Sequence, residues 1–257
     1  MECLFTRRMG LSRIMERRKF IAATLLIYLS GLIDTTLTNF DTVIIAPFVG
    51  ISNIFLLALF IMAAGPGSGG HINQTITFAT LLTGFTGFSR AILYMTAQTA
   101  GAALAGGVLR GAYGKARIEK YHGGGCFIDP NTVSSGQALL IEVVSSFTLL
   151  FLSFGVGLDP RQARLYGAYI GPLAVGCVLG LVTFASAGIV PGYTGASMFP
   201  GRCFAFAIAR GNFSNQWVWW VGPIGGSFLQ AFTYWVAPPY HSAPVPDAAR
   251  ERKETMA

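Results

Sequence analysis

The chain is 257 residues long, with 53% hydrophobic and only 11% charged residues and a formal net charge of +7. Soluble domains carry about 25% charged residues, so this composition excludes an ordinary soluble fold and points to a membrane protein. The positive charge is concentrated at the ends: Arg7, Arg8, Arg13, Arg17, Arg18 and Lys19 crowd the N-terminus, and Arg250, Arg252 and Lys253 lie near the C-terminus. Beside apolar runs, such clusters read as cytoplasmic flanks rather than as nucleic-acid contacts.

The first apolar run, Phe20–Thr38, exceeds the apolar core of a signal peptide, about 7–15 residues, and no small-x-small cleavage site follows it. It reads as a membrane span, joined by a short connection to a second at Phe48–Gly65. A polar, Gly-rich stretch follows, Gly69-Gly70-His71-Ile72-Asn73-Gln74-Thr75, and then a third span at Ala91–Leu109. A long loop rich in Gly and turn formers, Gly111–Gln137, leads to spans at Ala138–Leu158 and Gly167–Val190. A second broken stretch, Thr194-Gly195-Ala196-Ser197-Met198-Phe199-Pro200-Gly201-Arg202-Cys203, precedes the last span, Trp217–Ala237. Each span comes close to the ~20 residues that crossing a bilayer needs.

Neither broken stretch can lie in hydrocarbon, where free backbone N–H and C=O groups find no partner, so each must line a cavity or be buried in protein. Thr24–Leu29 resembles Thr148–Ser153, and the interruption at Asn73 maps onto Phe199. Three spans separate equivalent points, so the halves have opposite orientation and the chain is an inverted repeat. Short half-helices, about 73–82 and 199–209, are predicted to enter from opposite sides. Their N-terminal N–H groups place a partial positive field at the centre, repelling cations while neutral solutes pass. With both termini inside, twelve of the 18 Lys and Arg residues fall on the cytoplasmic side, although four in the outer loop weaken that signal.

These residues resemble the major intrinsic proteins, the aquaporin and aquaglyceroporin superfamily. The motifs are Ser68-Gly69-Gly70-His71-Ile72-Asn73, Arg90-Ala91-Ile92-Leu93-Tyr94 with Gln98, Thr194-Gly195-Ala196-Ser197-Met198 with Arg202, and Trp220-Val221-Gly222-Pro223. Within the superfamily, Cys203 after Arg202 and Gly123-Gly124-Gly125-Cys126 look like the X intrinsic proteins of fungi and plants. The resemblance implies an all-α membrane fold of six transmembrane helices plus two re-entrant half-helices. It also implies a homotetramer in a lipid bilayer, a pore in each protomer, no cofactor and no catalysis. The expected layout is a basic cytoplasmic tail over 1–19, a channel domain over 20–240 with repeats at about 20–110 and 138–237, and a cytoplasmic tail over 241–257. The plasma membrane is the expected location.

The family carries Asn-Pro-Ala at each half-helix tip, and this chain departs from it. The first tip is Asn73-Gln74-Thr75, where Asn73 still offers its amide but Gln74 replaces a proline suited to the first helical position. A looser tip is expected there. The second is Phe199-Pro200-Gly201, where Phe199 either turns away and packs or lines the mid-pore as an apolar wall. Counting from the tips as the resemblance implies, the selectivity filter comprises Asn53, Ala187, Ala196 and Arg202. Asn53 also reads as an ordinary polar helix residue. Two alanines where water-selective members carry an aromatic and a histidine leave space for small polyols or urea, and Arg202 opposes cations.

The resemblance gives Glu142 a structural job, accepting hydrogen bonds from the re-entrant loop. The equivalent point of span one is Lys19 or Phe20, so that brace is expected to be missing from one half. Gln98 is expected to support loop backbone, and His71 to brace a loop or line the pore rather than bind metal. Gly101, Gly106, Gly107, Gly225 and Gly226 suit close helix packing. Cys126 and Cys203 are candidates for a disulfide at the outer mouth, unless Cys203 packs as a small apolar residue; no spacing suggests a zinc site. Asn212-Phe213-Ser214 is a candidate glycosylation sequon. No nucleophile–base arrangement or phosphate-binding loop is present, so an enzyme is disfavoured. The expected function is passive diffusion of small neutral solutes such as glycerol, urea, hydrogen peroxide or water. The alternative is a non-conducting or gated scaffold or signalling protein on the same fold.

Overall fold

The computed structural model describes residues 2–39, 45–187 and 192–237. The C-terminal basic residues and the 241–257 tail lie outside them. Among the described residues the regular structure is helical: α1 (Glu2–Asn39), α2 (Ile45–Ser68), α3 (Gln74–Leu82), α4 (Phe88–Lys120), α5 (Ser135–Ser153), α6 (Pro160–Ala187), α7 (Pro200–Arg210) and α8 (Val218–Val236). Five long helices are apolar enough to cross a membrane. The sixth, α8, has 19 residues and sufficient length, but its Trp, Tyr, Gln and Pro lower its hydropathy.

Several boundaries differ from the sequence reading, each for a local reason. Residues 2–19 continue the helix of the first span without a break. The third helix continues past Leu109 to Lys120, breaking at Gly114, where φ is 73° and ψ 161°. Its added turns bring Lys115 within 3.8 Å of Glu119, a pairing at i and i+4. Gly167, the expected start of span five, breaks α6 in the same way with φ at 72°, so the continuous span begins just beyond it. Residues 188–190 of that span lie outside the described residues. Ser134 and Gln137 form a reciprocal capping box that starts α5.

The packing crosses the two halves. The half-helix α3 leaves the first half and seats against α8 of the second, while α7 seats against α4 of the first. Around them, α1 packs on α4 and α2, α2 on α6, and α5 on α8. Gly106 lets α4 touch α7, since an added Cβ would stand 2.3 Å from the Ala205 carbonyl oxygen. Gly101 and Gly226 make similar close approaches to α1 and α5, whereas a Cβ on Gly107 would meet nothing within 4 Å in this chain. Large apolar side chains face outward, among them Phe55 at 60%, Leu59 at 64% and Phe232 at 68% exposure. Such a belt suits lipid or a neighbouring subunit, not water.

Candidate functional site

The tips of α3 and α7 meet in the middle of the bundle. Asn73 caps α3, its Oδ1 accepting the Thr75 N–H at 2.9 Å. One N–H of the same amide donates to the Met198 carbonyl at 2.9 Å, and the Thr75 hydroxyl donates to that carbonyl too, also at 2.9 Å. One N–H and the oxygen of the Asn73 amide are thus engaged by protein groups. Phe199 occupies the cap position of α7 with φ −140° and ψ 93°, but its side chain makes no cap bond.

Gln74 supplies that missing cap. Its Oε1 accepts the Gly201 N–H at 3.2 Å and its Nε2 donates to the Thr99 hydroxyl at 3.1 Å. The next two N–H groups, of Arg202 and Cys203, reach the Phe199 carbonyl, and Pro200 has none to satisfy. The expected looseness of the first tip is thus overturned: Gln74 is buried, and it ties the two tips together. A Cβ on Gly201 would stand 2.6 Å from Gln74 Nε2 and 2.9 Å from its Oε1, so the small residue there makes room for the glutamine.

The braces behind the tips are opposite in sign. In the second half, Glu142, fully buried, accepts the N–H of Met198 at 3.0 Å and that of Ser197 in a short hydrogen bond. In the first half, Lys19, also fully buried, donates to the His71 carbonyl at 2.7 Å and lies 3.9 Å from the centre of the Tyr94 ring. The brace expected to be missing is present, with a cation meeting a carbonyl instead of an anion meeting N–H groups. Gln98 adds a second bond to the His71 carbonyl at 3.0 Å and one to the Thr77 hydroxyl at 3.1 Å. The His71 ring packs edge-on to Tyr94 rather than lining the cavity.

A cavity of about 960 Å³ runs past the tips. Its wall includes Asn73 and Phe199 from the two tips, together with Asn53, Ala187, Ala196 and Arg202. Gln74, Thr75, Pro200 and Gly201 stand behind that wall. Phe199 both packs in the apolar core and contributes to the lining, with 7% of its surface exposed. Arg202 donates from Nε to the Ser30 hydroxyl at 2.9 Å, pairs through Nη2 with Asp34, and lies 4.8 Å from the Phe206 ring centre. Ser30 and Asp34 belong to α1 and line the same cavity.

The loop over this mouth is clasped. Cys126 and Cys203 form a disulfide, which attaches the loop to the residue after Arg202. Arg210 donates to the carbonyls of His122, Gly125 at 2.6 Å and Cys126 at 3.1 Å. Ile128 pairs with Tyr193, and the Asp129 N–H reaches the Gly192 carbonyl at 2.8 Å. His122 stacks on Phe127 at 4.0 Å. Asn212 is exposed, and its Oδ1 accepts the Ser214 N–H at 2.8 Å. Sequence reasoning missed Ser30, Asp34, Lys19 as a brace, and Arg210. The acidic residue inside the first span was the available signal for Asp34.

Six long helices enclosing two half-helices that meet head to head beside a large cavity define the fold of a membrane channel. The chain belongs to the major intrinsic protein family, whose model matches residues 15–234. It is 36% identical over 187 residues to aquaporin TIP4-2 of Zea mays, covering 72% of this chain and 67% of that protein. It is 36% identical over 206 residues to a probable aquaporin, TIP3-2, of Arabidopsis thaliana, covering 76% and 72%. The aquaglyceroporin structure from Plasmodium falciparum superimposes with a TM-score of 0.70 at 19% identity, covering 87% of this chain and 95% of that one, and shares the fold. The protein is an integral membrane channel for small solutes, not an enzyme.

Proposed function

We propose that the channel carries small neutral solutes, glycerol, urea and hydrogen peroxide, down their gradients, with water flux low for its family. The observation that carries this reading is that Ala187, Ala196 and Arg202 all line one cavity, the two alanines contributing only methyl groups to it. Phe199 supports the second half of the reading, because an apolar wall at mid-pore deprives a water file of hydrogen bonds.

The channel assembles as a homotetramer in the plasma membrane, with both termini cytoplasmic and the 121–134 loop outside. The outward apolar belt and the excess of basic residues at the ends support this arrangement. Cys203 after Arg202, with the Gly123–Cys126 run, supports the finer grouping with X intrinsic proteins. Stopped-flow light scattering of vesicles holding the purified protein tests the transport reading. Solute entry faster than in lipid-only vesicles is expected. Fast water with no solute entry refutes it, and no flux of any kind favours a scaffold on the same fold.

A further inference from the structure

Arg202 does not face the cavity as an isolated cation. Its Nη2 pairs with Asp34 Oδ2, its Nε donates to Ser30 Oγ at 2.9 Å, and Ser30 itself lies 3.4 Å from Asp34 Oδ2. Asp34 and Ser30 come from α1, 168 and 172 positions away in the chain, and both line the cavity with Arg202. Asp34 is 9% exposed, and its second oxygen, Oδ1, accepts no hydrogen bond among the described residues.

Two consequences follow from elementary electrostatics. A carboxylate against a guanidinium cancels the formal charge, so this mouth presents a dipole where a lone arginine would present a net positive charge. The pair also supplies both polarities at one place: remaining guanidinium N–H groups donate, and Oδ1, which no described residue engages, accepts. The alanines Ala187 and Ala196 add apolar surface to the same wall.

We propose that Asp34 is a specificity-determining residue, making the filter a neutral donor–acceptor site for solutes that carry both O–H or N–H donors and an acceptor oxygen. Polyols and urea are of that class. A hydroxyl or amide N–H of the solute donates to Asp34 Oδ1 while its oxygen accepts from Arg202, so the molecule exchanges its hydration for two charge-assisted bonds at once. The inference rests on the solute-channel reading above and deepens it.

Asp34→Asn keeps the shape and an oxygen for Arg202, but it removes the anionic acceptor and leaves the arginine charge uncompensated. Stopped-flow measurement on the intact channel in vesicles is expected to show the glycerol-to-water permeability ratio falling by about tenfold, corresponding to about 1.4 kcal/mol. Asp34→Glu, which retains the carboxylate, is expected to keep the ratio well above that of Asp34→Asn. If Asp34 only tethers Arg202, glycerol and water fall together in Asp34→Asn, the ratio holds, and the proposal is overturned. Should the variant not fold, the parent decides: protein-dependent flux of ethylene glycol should exceed that of dimethyl sulfoxide, which is of similar size but has no O–H or N–H donor. Equal fluxes overturn the proposal. A parent that carries no solute refutes the channel reading itself, whereas a parent that carries glycerol with a ratio insensitive to Asp34→Asn refutes only the role given to Asp34.

Discussion

Gln74, in the first half of the chain, caps the half-helix of the second by accepting the Gly201 N–H at 3.2 Å across 127 residues of sequence. An asparagine at position 199 would be expected to cap α7 locally, as Asn73 caps α3. Phe199 cannot, and Gln74 reaches over instead, into space that a side chain on Gly201 would fill. Three of the four departures from the Asn-Pro-Ala pattern, Gln74, Phe199 and Gly201, form one interlocked set.

Reverting Gln74 or Gly201 alone is therefore expected to destabilise the fold. Gln74→Pro leaves the Gly201 N–H unsatisfied, a loss of about 1–3 kcal/mol for a buried donor. Gly201→Ala drives a methyl into the glutamine. The triple variant Gln74→Pro, Phe199→Asn, Gly201→Ala restores a local cap and relieves the clash, so its thermal midpoint in detergent should recover most of the loss. Midpoints that fall additively through the triple variant would show that the positions are independent.

Phe199→Asn alone is expected to raise water permeability several-fold. It replaces an apolar stretch of wall with a donor opposite Asn73, and one hydrogen bond regained by a crossing water is worth about 0.5–1.5 kcal/mol. Vesicle shrinkage rates at matched protein density check it. An unchanged rate in a folded variant would mean that the resistance lies elsewhere along the cavity.

Lys19→Met is expected to lower the thermal midpoint, because a charge-assisted hydrogen bond of about 1.5–3 kcal/mol to the His71 carbonyl is lost. Gln98→Leu removes the other partner of that carbonyl. The double variant should lose more than the sum of the singles, since only then is the buried oxygen left with neither bond. A double-mutant cycle that closes additively would argue against a shared brace.

These residues also mark where sequence reasoning stops. The spans and the half-helices were legible because apolar runs and broken motifs carry a local signature, and the Glu142 brace was legible through the family resemblance. Lys19 was not: in sequence it follows Arg17 and Arg18 and reads as one more flanking charge. Only the return of the 69–73 stretch to α1 makes it a donor to His71. Gln74 read as a weakened tip for the same reason, its acceptor role depending on an N–H in the other half. Asp34 had its meaning hidden 168 residues away on Arg202.

His122 gives the clasped loop a pH dependence. Burial, and then the nearby Arg210 guanidinium, hold its imidazole below the ordinary 6.5. The docked loop then binds protons less readily than a free one, so docking is at full strength above pH 6.5 and weakens as pH falls through that value. Reduction of the Cys126–Cys203 disulfide by a water-soluble phosphine should accelerate on acidification in the parent relative to His122→Phe, compared at each pH. A constant ratio between the two proteins would remove His122 from the loop's energetics.

The crossed seating of the half-helices also governs the order in which the protein can mature. When α3 leaves the ribosome, one of the two helices it chiefly packs on, α8, has yet to be synthesised, as has the Met198 carbonyl that receives Asn73 and Thr75. The first half consequently has no finished state of its own. Its re-entrant segment must wait at the membrane surface or in a protected space until the last helix arrives. Truncation after the third span should therefore yield a chain held by quality control rather than a half-channel.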